Sequence, residues 1–236
     1  MRRQVCRRIQ ERARELGLAD LEAYRSCLEG DPAELAHLAT LARVTISRFY
    51  RDRAVFDALR PVLSRLAREA RTVRVLSAGC ASGEEPYTIA LLWSLETPRA
   101  PLEVVAVDLD EEVLERAREG LYEESSLSEL PRELRDAGFD RRGERFRLKE
   151  ALRGSVSFVR ADIRGSLPEG PFDLVFCRNL AFTYFEEPAQ RELARRLRER
   201  MRPSALLVVG SHERPTLEGF EELTATPHAY RVTSNE

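Results

Sequence analysis

The stretch Val73-Arg74-Val75-Leu76-Ser77-Ala78-Gly79-Cys80-Ala81-Ser82-Gly83-Glu84-Glu85-Pro86-Tyr87-Thr88 limits the possible folds more than any other part of the chain. A short apolar run ends in a glycine-containing loop and passes directly into a helix start. Pro86 is tolerated there because the first helical amides have no intrahelical partner to lose. An apolar run this continuous suits a strand covered on both faces, and strand, loop and helix in that order build a parallel sheet with crossover helices. Further runs at 102–108, 156–162, 172–177 and 205–210 predict the other strands, with helices expected over 85–94, 111–119 and 188–201. The expected fold class is α/β, a doubly wound Rossmann-like sheet.

Upstream, the pattern is different. Val5, Ile9, Ala13 and Leu16, then Leu35, Leu38 and Leu41, recur at helical spacing, punctuated by Gly17, Gly30 and Asp31-Pro32. This predicts a small all-helical N-terminal domain over 1–68, followed by the sheet domain over 69–236. A chain of 236 residues, 43% of them hydrophobic, can bury the cores of both. One connection is too long: roughly 36 residues separate the helix ending near 119 from the strand starting near 156, where 2–6 are usual. A small inserted subdomain is expected over about 120–155, with a short helix at 129–136 and a strand or two around 145–152.

Composition narrows the function. No run approaches the roughly 18 apolar residues of a membrane span, and the N-terminus lacks the apolar core of a signal peptide, so a cytoplasmic protein without membrane insertion is expected. The four cysteines, Cys6, Cys27, Cys80 and Cys177, show no paired spacing, so neither a disulfide framework nor a metal site is predicted. Lys149 is the only lysine among many arginines, and a formal net charge of −2 supplies no field to draw the chain onto nucleic acid.

Ligands of open α/β sheets bind outside the carboxyl ends of the strands. There Gly79 and Gly83 let backbone approach a ligand, but the helix that follows starts with Glu84 and Glu85, which would repel a phosphate. These acids either complement the helix dipole or receive a cationic group such as the α-amino group of S-adenosylmethionine. The second strand ends in Asp108, positioned for a ribose diol or for a helix N-cap. Asp162, ending the third, is placed to accept from an adenine amine. The fourth ends in Cys177-Arg178-Asn179, a polar pair that either serves the site or ties its loop to a neighbouring strand. Four strands thus deliver polar groups to one edge.

In this order the residues resemble a known family. Ser77-Ala78-Gly79-Cys80-Ala81-Ser82-Gly83-Glu84-Glu85-Pro86-Tyr87, Phe172-Asp173-Leu174-Val175-Phe176-Cys177-Arg178-Asn179, Tyr184-Phe185 and Arg202-Pro203 are similar to the chemotaxis receptor methyltransferases, the CheR family. Thr45-Ile46-Ser47-Arg48-Phe49-Tyr50-Arg51-Asp52 resembles the signature closing that family's helical domain. The resemblance implies S-adenosylmethionine as cofactor, S-adenosylhomocysteine as product, and a receptor glutamate side chain as acceptor. By similarity Gly79 and Glu85 would hold the methionine portion, Asp108 the ribose, Asp162 with Ile163 the adenine, and Cys177 and Arg178 would line the reacting centre. Ser47 and Arg51 would reach the cofactor or substrate, with Thr45 beside them. A monomer acting on a protein substrate, a chemoreceptor cytoplasmic domain or similar signalling protein, is expected.

Transfer of a sulfonium methyl to a carboxylate needs no general base, because a glutamate of pKa about 4.3 is already ionised at pH 7. It needs alignment and exclusion of water. Arg51 is the expected orienting residue, unless it is spent on Asp52, Asp57 or another acid. Tyr184 is the expected aromatic wall or donor near the methyl.

Several features depart from the family. Leu180-Ala181-Phe182-Thr183 separates Asn179 from Tyr184 where three residues are usual, so either the loop bulges or Thr183 takes the tyrosine's place. The helical domain is shorter, Arg202-Pro203-Ser204-Ala205 replaces Arg-Pro-Gly-Gly, and Gly210-Ser211-His212-Glu213 reorders Gly-His-Ser-Glu, with His212 read as a loop residue. The insertion coincides with the family's β-subdomain, which docks a receptor tail in some members. Two other functions fit these residues: the same chemistry on a different protein or small molecule, and a regulatory module that binds the cofactor without turnover.

Overall fold

The computed structural model describes residues 2–42, 47–69, 71–95 and 101–233, which fall into two compact units, 1–46 and 47–236. The first contains α1 (Arg2–Glu15), α2 (Leu21–Gly30) and α3 (Pro32–Ala42). Asp20 caps α2 by accepting from the Ala23 amide at 2.8 Å, and Asp31 starts α3 by accepting from the amides of Ala33 and Glu34 at 2.9 and 3.1 Å. Glu34 on α3 ties the helices together. Its buried carboxylate accepts from Arg12 of α1 at 2.8 and 3.0 Å and from the Tyr24 hydroxyl of α2 at 2.8 Å.

The second unit runs α4 (Arg53–Leu66), β1 (Val73–Ala78), α5 (Glu84–Leu95), β2 (Leu102–Asp108), α6 (Glu111–Glu119), β3 (Leu121–Glu123), α7 (Arg132–Gly138), β4 (Phe139–Arg142), β5 (Arg145–Leu148), α8 (Glu150–Arg153), β6 (Val156–Arg160), β7 (Phe172–Phe176), α9 (Ala181–Tyr184), α10 (Glu187–Arg198), β8 (Met201–Val208), β9 (Phe220–Glu222) and β10 (Ala229–Val232). Seven strands form one sheet in the order β6-β2-β1-β7-β8-β10-β9. The first five are parallel, while β10 runs antiparallel to β8 and β9. The fold is the expected α/β class. The insertion forms a separate antiparallel sheet, β3-β5-β4.

Both faces of the large sheet are covered. On one lie α4 and α5, whose Phe56, Leu59, Ile89 and Leu92 join a core with Val75, Leu174 and Phe176. On the other, Leu193 and Leu197 of α10 pack with Leu76, Val175 and Leu207. Helix α5 is buried nearly all round, which suits a helix enclosed on several sides.

Sequence and structure divide the chain differently. The sequence places the boundary near 68, whereas packing places it after 46, because α4 inserts Val55, Phe56, Leu59 and Leu63 into the core of the second unit. The helix expected to reach 201 ends at Arg198, since the Phe172 amide donates to the Arg200 carbonyl at 2.8 Å and draws Met201 into the β7 ladder. Among the described residues, no helix is long and apolar enough to cross a membrane.

Candidate functional site

Strand order reverses at β1, which pairs with β2 on one side and β7 on the other. Crevices open at such a point because successive crossovers leave in opposite directions. A cavity of about 170 Å3 lies there, lined by Gly79, Val107, Asp108, Asp162, Ile163, Leu180 and Phe185, among others. Gly79 has φ +81°, and a Cβ at this position would stand 2.5 Å from Leu180 Cδ2, so backbone conformation and close approach both call for glycine. Asp108 Oδ2 accepts from the Ala81 amide at 2.9 Å and Oδ1 from the Asp110 amide at 3.1 Å. A carboxylate fixed by two amides still has acceptor sites for a pair of hydroxyls.

Asp162 lies at the other end of the cavity, gripped by Arg164 through bonds of 2.7, 3.0 and 3.1 Å. That hydrogen bond holds the Asp162 carboxyl below its ordinary range. Ile163, Leu180 and Phe185 supply apolar walls. A carboxylate suited to a diol, an apolar slot and a helix start already occupied by acids fit an uncharged nucleoside better than a pyrophosphate.

The remaining predicted residues lie around this cavity rather than on its lining. Glu85 accepts from the Ser77 hydroxyl at 2.8 Å and from Arg178 Nη1 at 3.0 Å, and burial pushes its carboxyl up. Arg178, with its side chain only 3% exposed, also donates through Nη2 to the Arg51 carbonyl at 2.8 Å and to Asp52 Oδ2 at 2.9 Å. Its guanidinium stands 5.0 Å from the centre of the Phe56 ring. Burial would raise the Asp52 carboxyl, but Arg178 and the bonds from Ser211 outweigh it and the net shift is downward. Arg178 thus fastens the segment carrying Arg51 to the edge of the sheet. Tyr50 and Asp52, both at φ 61°, hold a left-handed conformation that non-glycine residues adopt at a cost.

Ser47 lies beside Glu84, which is 2% exposed, accepts from the Ser82 hydroxyl at 3.0 and 3.1 Å, and has its carboxyl raised by burial. Thr45 lies outside the described residues. Cys177 is buried in the core, and burial lifts its thiol to about 12, so it remains protonated. Arg51 is half-buried, and Tyr184 is 54% exposed at the end of α9. The Thr183 hydroxyl donates to Glu213 Oε1 at 2.5 Å.

The roles of Asp52, Ser211 and Glu213 escaped the sequence reading. Each lies in a motif already noted, but an acid in a motif does not reveal its partner.

This fold and edge define an open α/β domain with a nucleoside-sized site at its switch point. The profile described as the S-adenosylmethionine-binding domain of CheR methyltransferase matches residues 45–228, and the chain belongs to that family, with S-adenosylmethionine as its cofactor. A chemotaxis protein methyltransferase of Listeria monocytogenes is 32% identical over 188 residues, 79% of this chain and 71% of that protein. One from Salmonella typhimurium is 34% identical over 221 residues, covering 89% and 75%. The probable biofilm formation methyltransferase WspC of Pseudomonas aeruginosa is 34% identical over 218 residues, 88% of this chain and 50% of that protein.

Proposed function

We propose that the protein methylates glutamate side-chain carboxylates on a chemoreceptor or related cytoplasmic signalling protein. The observation that carries this reading is the Glu85–Arg178–Asp52 chain, which holds the Arg51 segment against the edge bearing Gly79 and Asp108. An arginine fastened there suits an anionic acceptor.

Bound S-adenosylmethionine supplies an electrophilic sulfonium methyl. Gly79, Asp108, Asp162 and Ile163 hold the nucleoside end in this reading, while Ser47, Glu85, Cys177 and Arg178 support the methionine side directly or through their neighbours. Arg51 orients the acceptor carboxylate, whose oxygen takes the methyl as the carbon–sulfur bond breaks and its electron pair stays on sulfur. Both charges are neutralised, so water that stabilises the ions slows the step, and the acceptor protein, seated over the exposed Tyr184, serves by excluding it.

The test is incubation with methyl-tritiated cofactor and a chemoreceptor cytoplasmic domain. Label on the receptor that base releases as methanol supports a glutamyl ester; base-stable label, or label only on small molecules, overturns it. Arg51→Ala is expected to keep S-adenosylhomocysteine binding and lower transfer by about 100-fold, the loss of a charge-assisted contact to the acceptor carboxylate. Parent-rate transfer by that variant would remove Arg51 from this role.

A further inference from the structure

We propose that Glu213 is a positioning residue for methyl transfer: through the 210–213 turn after β8, it fixes the 179–184 segment at the carboxyl edge. The proposal rests on the glutamate-methylation reading above and adds a residue to it. Glu213 is 3% exposed and is not itself one of the residues lining the cavity. Its Oε2 accepts from the amides of Asn179 at 3.0 Å and Gly210 at 2.6 Å, and its Oε1 accepts from the Thr183 hydroxyl at 2.5 Å. One carboxylate thus spans the segment, from the first residue after Arg178 to the residue before Tyr184.

The geometry leaves little room for slippage. Asn179 sits at φ 55°, a left-handed turn conformation that asparagine adopts more readily than most residues. A Cβ at Gly210 would lie 2.9 Å from Glu213 Oε2 and 3.0 Å from Asn179 Oδ1, so the turn closes on the segment only because residue 210 has no side chain. Ser211 of the same turn lies near enough to Asp52, the partner of Arg178, to favour its ionised form. The turn therefore fixes the 179–184 segment through Glu213 and adjoins the Asp52 segment through Ser211. A buried carboxylate with backbone donors as partners is costly to leave half-satisfied, so its loss should loosen the segment rather than shift it to another fixed position.

Three full-length variants test this. Glu213→Ala removes all three contacts. Glu213→Gln keeps an oxygen for the amides, while its NH2 faces a Thr183 hydroxyl free to rotate and accept. Thr183→Val removes one contact at an exposed position. In Glu213→Ala, amide exchange of 178–185 should accelerate by about tenfold or more and kcat for receptor methylation should fall by a similar factor, with S-adenosylhomocysteine affinity falling by clearly less than kcat, since Leu180 and Phe185 form only one wall of the cavity. Glu213→Gln should restore both to within about threefold, and Thr183→Val should show smaller changes in the same direction.

Exchange in Glu213→Ala that matches the parent would overturn the proposal. So would accelerated exchange with an unchanged kcat, or a loss of cofactor affinity matching the loss of kcat, which marks general structural damage. If Glu213→Ala does not fold, Thr183→Val decides, and no change in exchange or kcat counts against positioning. A parent that binds S-adenosylhomocysteine but methylates no glutamyl acceptor would end the acceptor reading. The exchange comparison would still decide the role of Glu213.

Discussion

Arg178 is the side chain that ties the Arg51–Asp52 segment to the carboxyl edge of the sheet. It neutralises Glu85 and Asp52 and bonds the Arg51 carbonyl from a position with almost no solvent contact. Arg178→Met would fill similar volume but leave two acids without their partner. We expect a loss of about 3 kcal/mol in denaturant unfolding, as for other broken buried pairs; a loss within about 0.5 kcal/mol would mean that water already reaches the acids. Residues at strand ends were legible in the sequence. Gly79, Asp108 and Asp162 each follow an apolar run, so the sheet period alone carries them to one edge. Partners were not legible, because Arg178 meets Glu85 across 93 positions and Asp52 across 126. Nothing in local spacing encodes such a meeting.

Among the helices, the Arg12–Glu34–Tyr24 cluster makes the first unit sensitive to acid. Hydrogen bonds from Arg12, then from Tyr24, hold the Glu34 carboxyl down at about 2, against the pull of burial. A carboxyl depressed in the folded state contributes stability that is present above its unfolded value near 4.3 and is lost as pH falls toward about 2. Thermal melts of the full chain between pH 5 and about 2.5 should therefore show a transition that falls more steeply than that of Glu34→Gln, which is already less stable at pH 7 and keeps only the fall owed to other depressed carboxyls such as Asp52 and Asp162. An identical pH profile in the variant would contradict this. Helical periodicity located α6 well, since Asp110 and Gly120 mark its ends chemically. The sequence reading failed for α4, because an amphipathic stripe shows that a helix is buried, not which core it enters. It also missed β9 and β10, which are short and pair only through their neighbours.

In the molecule as a whole, every residue assigned to the site lies within 47–236, the unit that holds its own two-sided sheet core. A chain beginning at residue 47 should fold and bind S-adenosylhomocysteine within about threefold of the full chain by calorimetry; a larger loss would show that 1–46 contributes to cofactor binding. The α/β class and the inserted subdomain could be read from the spacing of apolar runs, while the division at 46 depended on packing. The cofactor is proposed to sit in the cavity between Gly79, Asp108 and Ile163. Calorimetric titration of S-adenosylhomocysteine should give one binding site in the parent and a site at least tenfold weaker in Asp108→Ala, about 1.4 kcal/mol. No binding by the parent, or equal affinity in the two proteins, would contradict that placement.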